Sequence, residues 1–318
     1  MKNVVRMQFI IAILLLFLTA YTSSCKVDGD NTDGFLTGDP FDLDLALELG
    51  RLCLQAYQML DDFNNGINFQ LPPPFNLEMV FCTTEQFIGE SIDPSTILDK
   101  QFCTGSDEVP IAFIATSGEN IFLVFRGTAT IEEWIKDAEF FKEPYTFVEN
   151  AGNTEEGFTK IYSTIHNSIV DNINELSNSG SFTTLFVTGH SLGAALAILS
   201  VPEVIKNTSF TQPIMYNFAG PRVGDSTFKN LYDSLIDTSW RVVNTNDLVP
   251  HLPPEFLNYI HVNTEMPITF GQPITDLSDF TLIEENHEMC NYYNALCDMT
   301  SDPETCKEMA GGAHDCNT

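Results

Sequence analysis

At 318 residues with 43% apolar side chains, the chain can build one large domain with a sizeable core, or two small ones, and is too apolar to be disordered. Fourteen Lys and Arg stand against 44 Asp and Glu, a formal charge of -30. So acidic a surface repels nucleic-acid phosphates and anionic bilayers, which excludes nucleic acid as a partner.

The N-terminus reads as a targeting segment. Lys2 and Arg6 precede an uninterrupted apolar run, Phe9 to Leu18, and small residues follow it. Ten residues are too few to cross a bilayer and suit a signal peptide, expected over residues 1–24. Removing it takes two cations, so the remaining charge is 12 minus 44, or -32. Thr22-Ser23-Ser24-Cys25 resembles the end of a bacterial lipoprotein signal, with Cys25 as the lipidated residue, although such signals prefer Leu where Thr22 stands. The alternative is ordinary secretion. Either reading puts the chain outside the cytoplasm, as a secreted protein or a cell-envelope lipoprotein. Residues 25–39 read as an acidic flexible tether.

From residue 40 to the end, no internal repeat or linker interrupts the chain, which reads as one α/β domain. A helix is expected from Asp39, with Pro40 at its first position and Leu45, Leu49, Leu52, Cys53, Ala56 and Leu60 at helical spacing. "EMVFCTTEQFIG" reads as a strand, and "PIAFIATSG" and "NIFLVFRGT" as two more joined by a hairpin turn at Gly118-Glu119-Asn120. Phe158, Ile161, Tyr162, Ile165, Ile169, Ile173 and Leu176 mark a long amphipathic helix. Buried strands follow at "TTLFVTG", "PIMYNFAG" and "SWRVVN", separated by helices over Leu192 to Ile205 and around Phe228 to Ile236. This alternation argues a parallel sheet with crossover helices.

Eight cysteines suit an oxidising compartment. Cys25 is the candidate for lipid, and Cys53 sits on an apolar helix face as a small buried hydrophobe. Cys82 and Cys103 flank a loop and are expected to pair, contributing on the order of 3 kcal/mol. Cys290 and Cys297 lie on one helix roughly 10 Å apart, beyond the roughly 7 Å a disulfide tolerates. Each therefore pairs with one of the last two, and the nested pattern is favoured: Cys297 with Cys306, Cys290 with Cys316. Zinc is the competing reading, but the spacings lack the tight pairs of zinc motifs.

"TLFVTGHSLGAALA" carries the chemistry. Gly189-His190-Ser191-Leu192-Gly193 fits G-x-S-x-G at the end of a buried strand and the start of a helix. There the serine takes a strained conformation that lifts its hydroxyl clear of the sheet, and the helix behind it offers free N–H groups. A serine nucleophile needs a base, and the base needs an orienting acid, in the order Ser, acid, His. Asp247 stands just past the strand "SWRVVN". Of the downstream histidines, His251 competes for the same loop and His314 lies in the cysteine-rich tail. His287, expected to open the last helix, is favoured over His261. His190 reads as structural.

The chain resembles the class 3 lipases, the fungal-type triacylglycerol lipase family. The matching pieces are "FRGTATIEEWIKDAEF", "EGFTKIYSTI", "VTGHSLGAALA", "NFAGPRVGD", "RVVNTNDLVPHLPP", "YIHVNTE" and "ENHEMCNYY", in the family's order over roughly residues 45 to 293. The resemblance implies an α/β-hydrolase fold with a mostly parallel central sheet, helices on both faces and a short lid helix. It puts Ser191, Asp247 and His287 on the triad positions, and His251 and His261 on structural ones. It makes Thr128, directly after Arg-Gly, the second oxyanion donor beside Leu192, with Asp137 holding the Thr128 hydroxyl. It makes the helix bearing Ile131, Trp134 and Ile135 a lid over the acyl pocket. The implied function is hydrolysis of lipid esters at an oil-water or lipid interface, without metal or cofactor. Other readings are a feruloyl or other cell-wall esterase, a phospholipase A1, and a non-catalytic surface binding protein on the same scaffold.

Overall fold

The computed structural model describes residues 40–84, 102–105, 107–128, 135, 140–262, 264–310 and 316. The expected signal peptide and tether, Cys25, Ile131, Trp134, Asp137 and His314 lie outside the described residues.

Helix α1 spans Leu43–Asn64. It starts later than a proline-led first turn requires. Asp42 is extended (φ -102, ψ 109) and its side chain accepts the Leu45 N–H, so an aspartate cap sets the start and Pro40 lies outside the helix. Strands β1 (Asn76–Thr84), β2 (Glu108–Ser117) and β3 (Asn120–Phe125) form an antiparallel meander. A small hairpin, β4 (Lys142–Pro144) with β5 (Asn153–Glu155), leads into α2 (Glu156–Ser179). Then β6 (Thr184–His190), α3 (Leu192–Asn207), β7 (Ile214–Phe218), α4 (Ser226–Leu235) and β8 (Ser239–Asn244) alternate as the sequence led one to expect. β9 (Thr264–Ile268) and helices α5 (Phe280–His287), α6 (Met289–Cys297) and α7 (Pro303–Glu308) complete the order.

The main sheet runs β1-β2-β3-β6-β7-β8-β9, and every pairing from β3 to β9 is parallel. Its strands alternate between two cores. Leu123, Leu185, Val187 and Met215 meet Ile165, Leu196 and Phe228 of α2, α3 and α4 on one face. Phe122, Val124, Tyr216 and Phe218 meet Leu49, Leu52 and Tyr293 of α1 and α6 on the other. Strands buried on both faces read as continuous apolar runs, so they were legible. β9 was not expected as a strand. It is an edge strand, mostly exposed, and carries Pro267, which an edge position accommodates.

Disulfides join Cys82 to Cys103, Cys290 to Cys316 and Cys297 to Cys306. Cys53 is free and buried against Thr188, and burial pushes its thiol up to about 12.

The junction of β5 and α2 is sensitive to pH. Glu155, half-buried, caps α2 by accepting the Phe158 N–H at 2.8 Å. Burial pushes its carboxyl up from 4.5 to about 7, although backbone hydrogen bonds from Phe158 and Gly157 oppose the rise. Between those values the folded chain holds a proton that the unfolded chain has released. Stability therefore falls as pH rises through this window, and the loss is complete above it. Glu155→Gln keeps an acceptor for the cap and removes the titration. It is expected to raise the melting temperature by about 2–4 °C at pH 8 and to leave it unchanged at pH 4. Equal shifts at both pH values, measured by differential scanning calorimetry, would contradict this origin.

Candidate active site

Strand β6 ends at His190 and α3 begins at Leu192, so Ser191 takes the whole change of direction. Its backbone sits at φ 57, ψ -124, a conformation costing on the order of 1–3 kcal/mol in a non-glycine residue. The flanking glycines make the corner possible. A Cβ on Gly193 would lie 2.3 Å from the Phe125 carbonyl oxygen, and one on Gly189 would lie 2.3 Å from that of Gly193. The Ser191 N–H donates to the Phe218 carbonyl at 3.0 Å, tying the corner to β7. Leu192 opens α3, so its N–H has no acceptor within the helix and lies at the positive end of the dipole.

Asp247 follows β8 in a tight turn, its N–H donating to the Asn244 carbonyl at 3.0 Å. Its Oδ1 accepts the Val249 N–H at 2.9 Å, and its Oδ2 accepts from His287 Nδ1 at 2.8 Å. A carboxylate only accepts, so His287 carries its proton on Nδ1. The bare Nε2 then accepts the Ser191 hydroxyl, 2.8 Å away. Ser191, Asp247 and His287 are all buried. His287 closes α5 rather than opening the last helix. Glu288 is extended (φ -66, ψ 134), and α6 starts directly after it.

The other expected site residues fall as follows. Thr128 is buried just after β3, and Gly127 before it packs on the serine: a Cβ there would lie 3.1 Å from Ser191 Cβ. Fully buried Arg126 fixes that turn, donating from Nε to the Pro110 carbonyl and from Nη1 to that of Gly127, at 3.0 and 2.7 Å. Ile135 is buried in an apolar cluster with Val249, Leu252 and Ile283, that is, with the loop after Asp247 and the helix of His287. Neither His251 nor His261 shares the Ser191 contact. His261 Nε2 donates to the Pro250 carbonyl at 2.7 Å, and the His251 carbonyl accepts from Arg222 at 2.5 Å. Burial holds both imidazoles below the ordinary histidine range, and the nearby arginines add to this. Among the described residues, no group of three or more His, Cys, Asp or Glu is placed to hold a metal ion.

Three contributors had no signal in the sequence. The Tyr292 hydroxyl donates to Asp247 Oδ2 at 2.7 Å and accepts the Asn244 N–H at 2.9 Å. Burial, and then the Asp247 charge, push that phenol well above its ordinary range, so it stays a donor. Asn244 Nδ2 donates to the Asn286 carbonyl, and Asn286 Nδ2 to those of Asn246 and Gln272. These amides stitch the loop of the acid to the helix of the base.

A mostly parallel sheet, a strained serine between strand and helix, an acid on a later loop and a histidine at the end of a later helix are the arrangement of the α/β-hydrolase fold. Residues 122–257 match the model of the lipases of class 3. It is 33% identical over 162 residues to a lipase of Rhizomucor miehei, covering 50% of this chain and 44% of that one. It is 31% identical over 184 residues to phospholipase A1-Igamma2, chloroplastic, of Arabidopsis thaliana, covering 48% and 34%. The fold is similar to that of Rhizomucor miehei triacylglyceride lipase, with a TM-score of 0.58 and 22% identity over 80% of this chain and 94% of that one. The chain spans about half the length of the curated relatives it matches.

Proposed function

We propose that the protein is a serine hydrolase that cleaves carboxylic esters of lipids, acylglycerols foremost. The observation that carries this is the pair of 2.8 Å hydrogen bonds linking Asp247 to His287 and His287 to Ser191 at a strained corner. In this reading His287 Nε2 takes the Ser191 proton as Oγ attacks the ester carbonyl. The oxyanion lies between the Leu192 N–H and Thr128, which offers its N–H and its hydroxyl, the latter held by Asp137. Donors of this kind contribute about 10²–10³ each in rate. The tetrahedral intermediate expels the alcohol, which takes the proton from His287. Water then attacks the acyl-enzyme, giving one proton to His287, and the fatty acid leaves as Ser191 recovers its hydrogen. Asp247 keeps the imidazole in the productive tautomer. None of these steps calls on a metal or cofactor.

The segment with Ile131, Trp134 and Ile135 is the lid of this reading. The burial of Ile135 against the loop after Asp247 and the helix of His287 supports it, because lifting such a segment uncovers apolar surface that a lipid phase would take up. Phe141 and Phe256, 58% and 63% exposed, would meet the same phase. Their segments are joined: the Tyr259 hydroxyl reaches the Phe140 and Phe141 carbonyls, and Lys142 reaches that of Leu257. Replacing both phenylalanines by Asp is expected to lower activity on emulsified substrate about 10-fold while leaving a dissolved acetyl ester within about 2-fold.

The deciding experiment is a chain-length series of p-nitrophenyl esters, dissolved and emulsified, with phosphatidylcholine vesicles in parallel. The lipase reading expects long acyl chains and a gain on emulsions. Short soluble esters preferred without that gain would overturn it in favour of a cell-wall esterase. Vesicles hydrolysed faster than emulsions would favour the phospholipase A1 reading, to which the Arabidopsis relative points. The three disulfides agree with an extracytoplasmic location. Secretion is the reading adopted. Radioactive fatty acid incorporated by the chain and lost in Cys25→Ala would instead establish an anchor.

A further inference from the structure

His190 precedes the serine and is buried with both ring nitrogens engaged. Its Nε2 lies 2.8 Å from the His287 carbonyl oxygen, and its Nδ1 lies 2.7 Å from the Tyr57 hydroxyl. A carbonyl only accepts, so Nε2 carries the proton. Burial, and then the nearness of His287, hold His190 well below the ordinary histidine range. Nδ1 is therefore bare, and the Tyr57 O–H donates to it. The hydrogen bonds run in one direction, from a phenol on α1, through the ring of His190, to the backbone of His287. The same phenol fills the space beside Gly127, where a Cβ would lie 2.1 Å from its oxygen. Tyr57 thus touches the turn that leads to Thr128 and, through His190, the residue that faces Ser191.

We propose that Tyr57 and His190 are a positioning pair: they hold the His287 backbone so that its Nε2 stays in line with the Ser191 hydroxyl. The inference rests on the ester-hydrolase reading. A second property of the pair serves the same end. The rings of His190 and His287 stand 4.8 Å apart. An uncharged His190 leaves His287 free to become the imidazolium that acyl transfer requires. A merely space-filling histidine needs neither the donor on Nε2 nor the tyrosine.

The test compares His190→Gln, whose amide nitrogen can still donate to the His287 carbonyl, with His190→Leu, which cannot. Tyr57→Phe deletes one oxygen. Two readouts are taken: the downfield proton resonance of His287 Nδ1–H, assigned by its loss in His287→Gln, and kcat and KM on a soluble p-nitrophenyl ester. His190→Leu is expected to move or broaden the resonance and to lower kcat about 10–100-fold, with KM within about 2-fold. His190→Gln is expected to restore the resonance and to bring kcat within about 3-fold of the native value. Tyr57→Phe is expected to shift the resonance less and to lower kcat about 3–10-fold. A native resonance and native kcat in a folded His190→Leu protein overturn the proposal, as does a Gln variant as impaired as the Leu one. Should His190→Leu not fold, an unchanged resonance in Tyr57→Phe overturns it. The resonance needs no substrate, so it decides the pair even if the native protein hydrolyses no ester, a result that would sink the hydrolase reading alone.

Discussion

Ser191→Ala is expected to lower kcat on p-nitrophenyl esters by about 10⁶, the loss that follows when a triad nucleophile is removed. The fold should not change. Both residues carry a Cβ, so both bear the same strain at φ 57, ψ -124, and the anchoring bond from the backbone N–H to Phe218 is kept. Residual activity above about one part in 10⁴ would dismiss Ser191 as the nucleophile. Ser191→Gly gives the complementary result. It relieves the strain, so it should be as inactive as the alanine variant yet melt higher than the native protein, by an amount corresponding to about 1 kcal/mol. A serine held in this conformation at a cost in stability is placed there for its hydroxyl.

Asp247→Asn is expected to lower kcat about 10⁴-fold, with little change in KM. The size of the effect follows from which way the amide turns. Val249 presents an N–H to the Oδ1 position, while His287 and Tyr292 both donate to Oδ2. An asparagine oxygen suits the Oδ1 position, because an NH₂ group there would face another donor. The NH₂ group then faces His287, and the imidazole must turn its proton to Nε2, which leaves no base for Ser191. The Tyr292 hydroxyl can rotate to accept, so the site remains packed. Crystals of the variant should show His287 in place, with activity lost. A loss below about 10-fold would mean that Asp247 contributes packing and not the tautomer.

The serine corner was legible because everything that makes it is local: an apolar strand, two glycines and a run of small helix-forming residues. Asp247 was legible for a related reason, as the first acid past a strand whose limits, 239 to 244, the sequence marked well. His287 was singled out by its place in chain order, but its local setting was misread. The break at Glu288 has no glycine or proline to announce it, so α5 and α6 look like a loop and one helix. What the sequence hid are partnerships made at a distance. Tyr57 and His190 are 133 residues apart, and Tyr292 and Asp247 are 45 apart. Neither tyrosine differs in its neighbours from an ordinary core aromatic. Only the stacking of α1 and α6 on one face of the sheet brings them to the ends of the strands.

Helix α6 has a practical bearing on how the protein is made and handled. Tyr292, which holds Asp247, lies between Cys290 and Cys297, and both cysteines tie the helix to the C-terminal tail. A recombinant product from a reducing cytoplasm would keep its serine corner, which none of the disulfides among the described residues touches, and would lose from the sheet only the tie that Cys82 of β1 makes to Cys103. It would hold α6 by packing and hydrogen bonds, without the covalent ties to the tail. Such a preparation can pass a test of folding and still carry a poorly seated acid, so specific activity, compared before and after oxidative refolding, is the fitting measure of its quality.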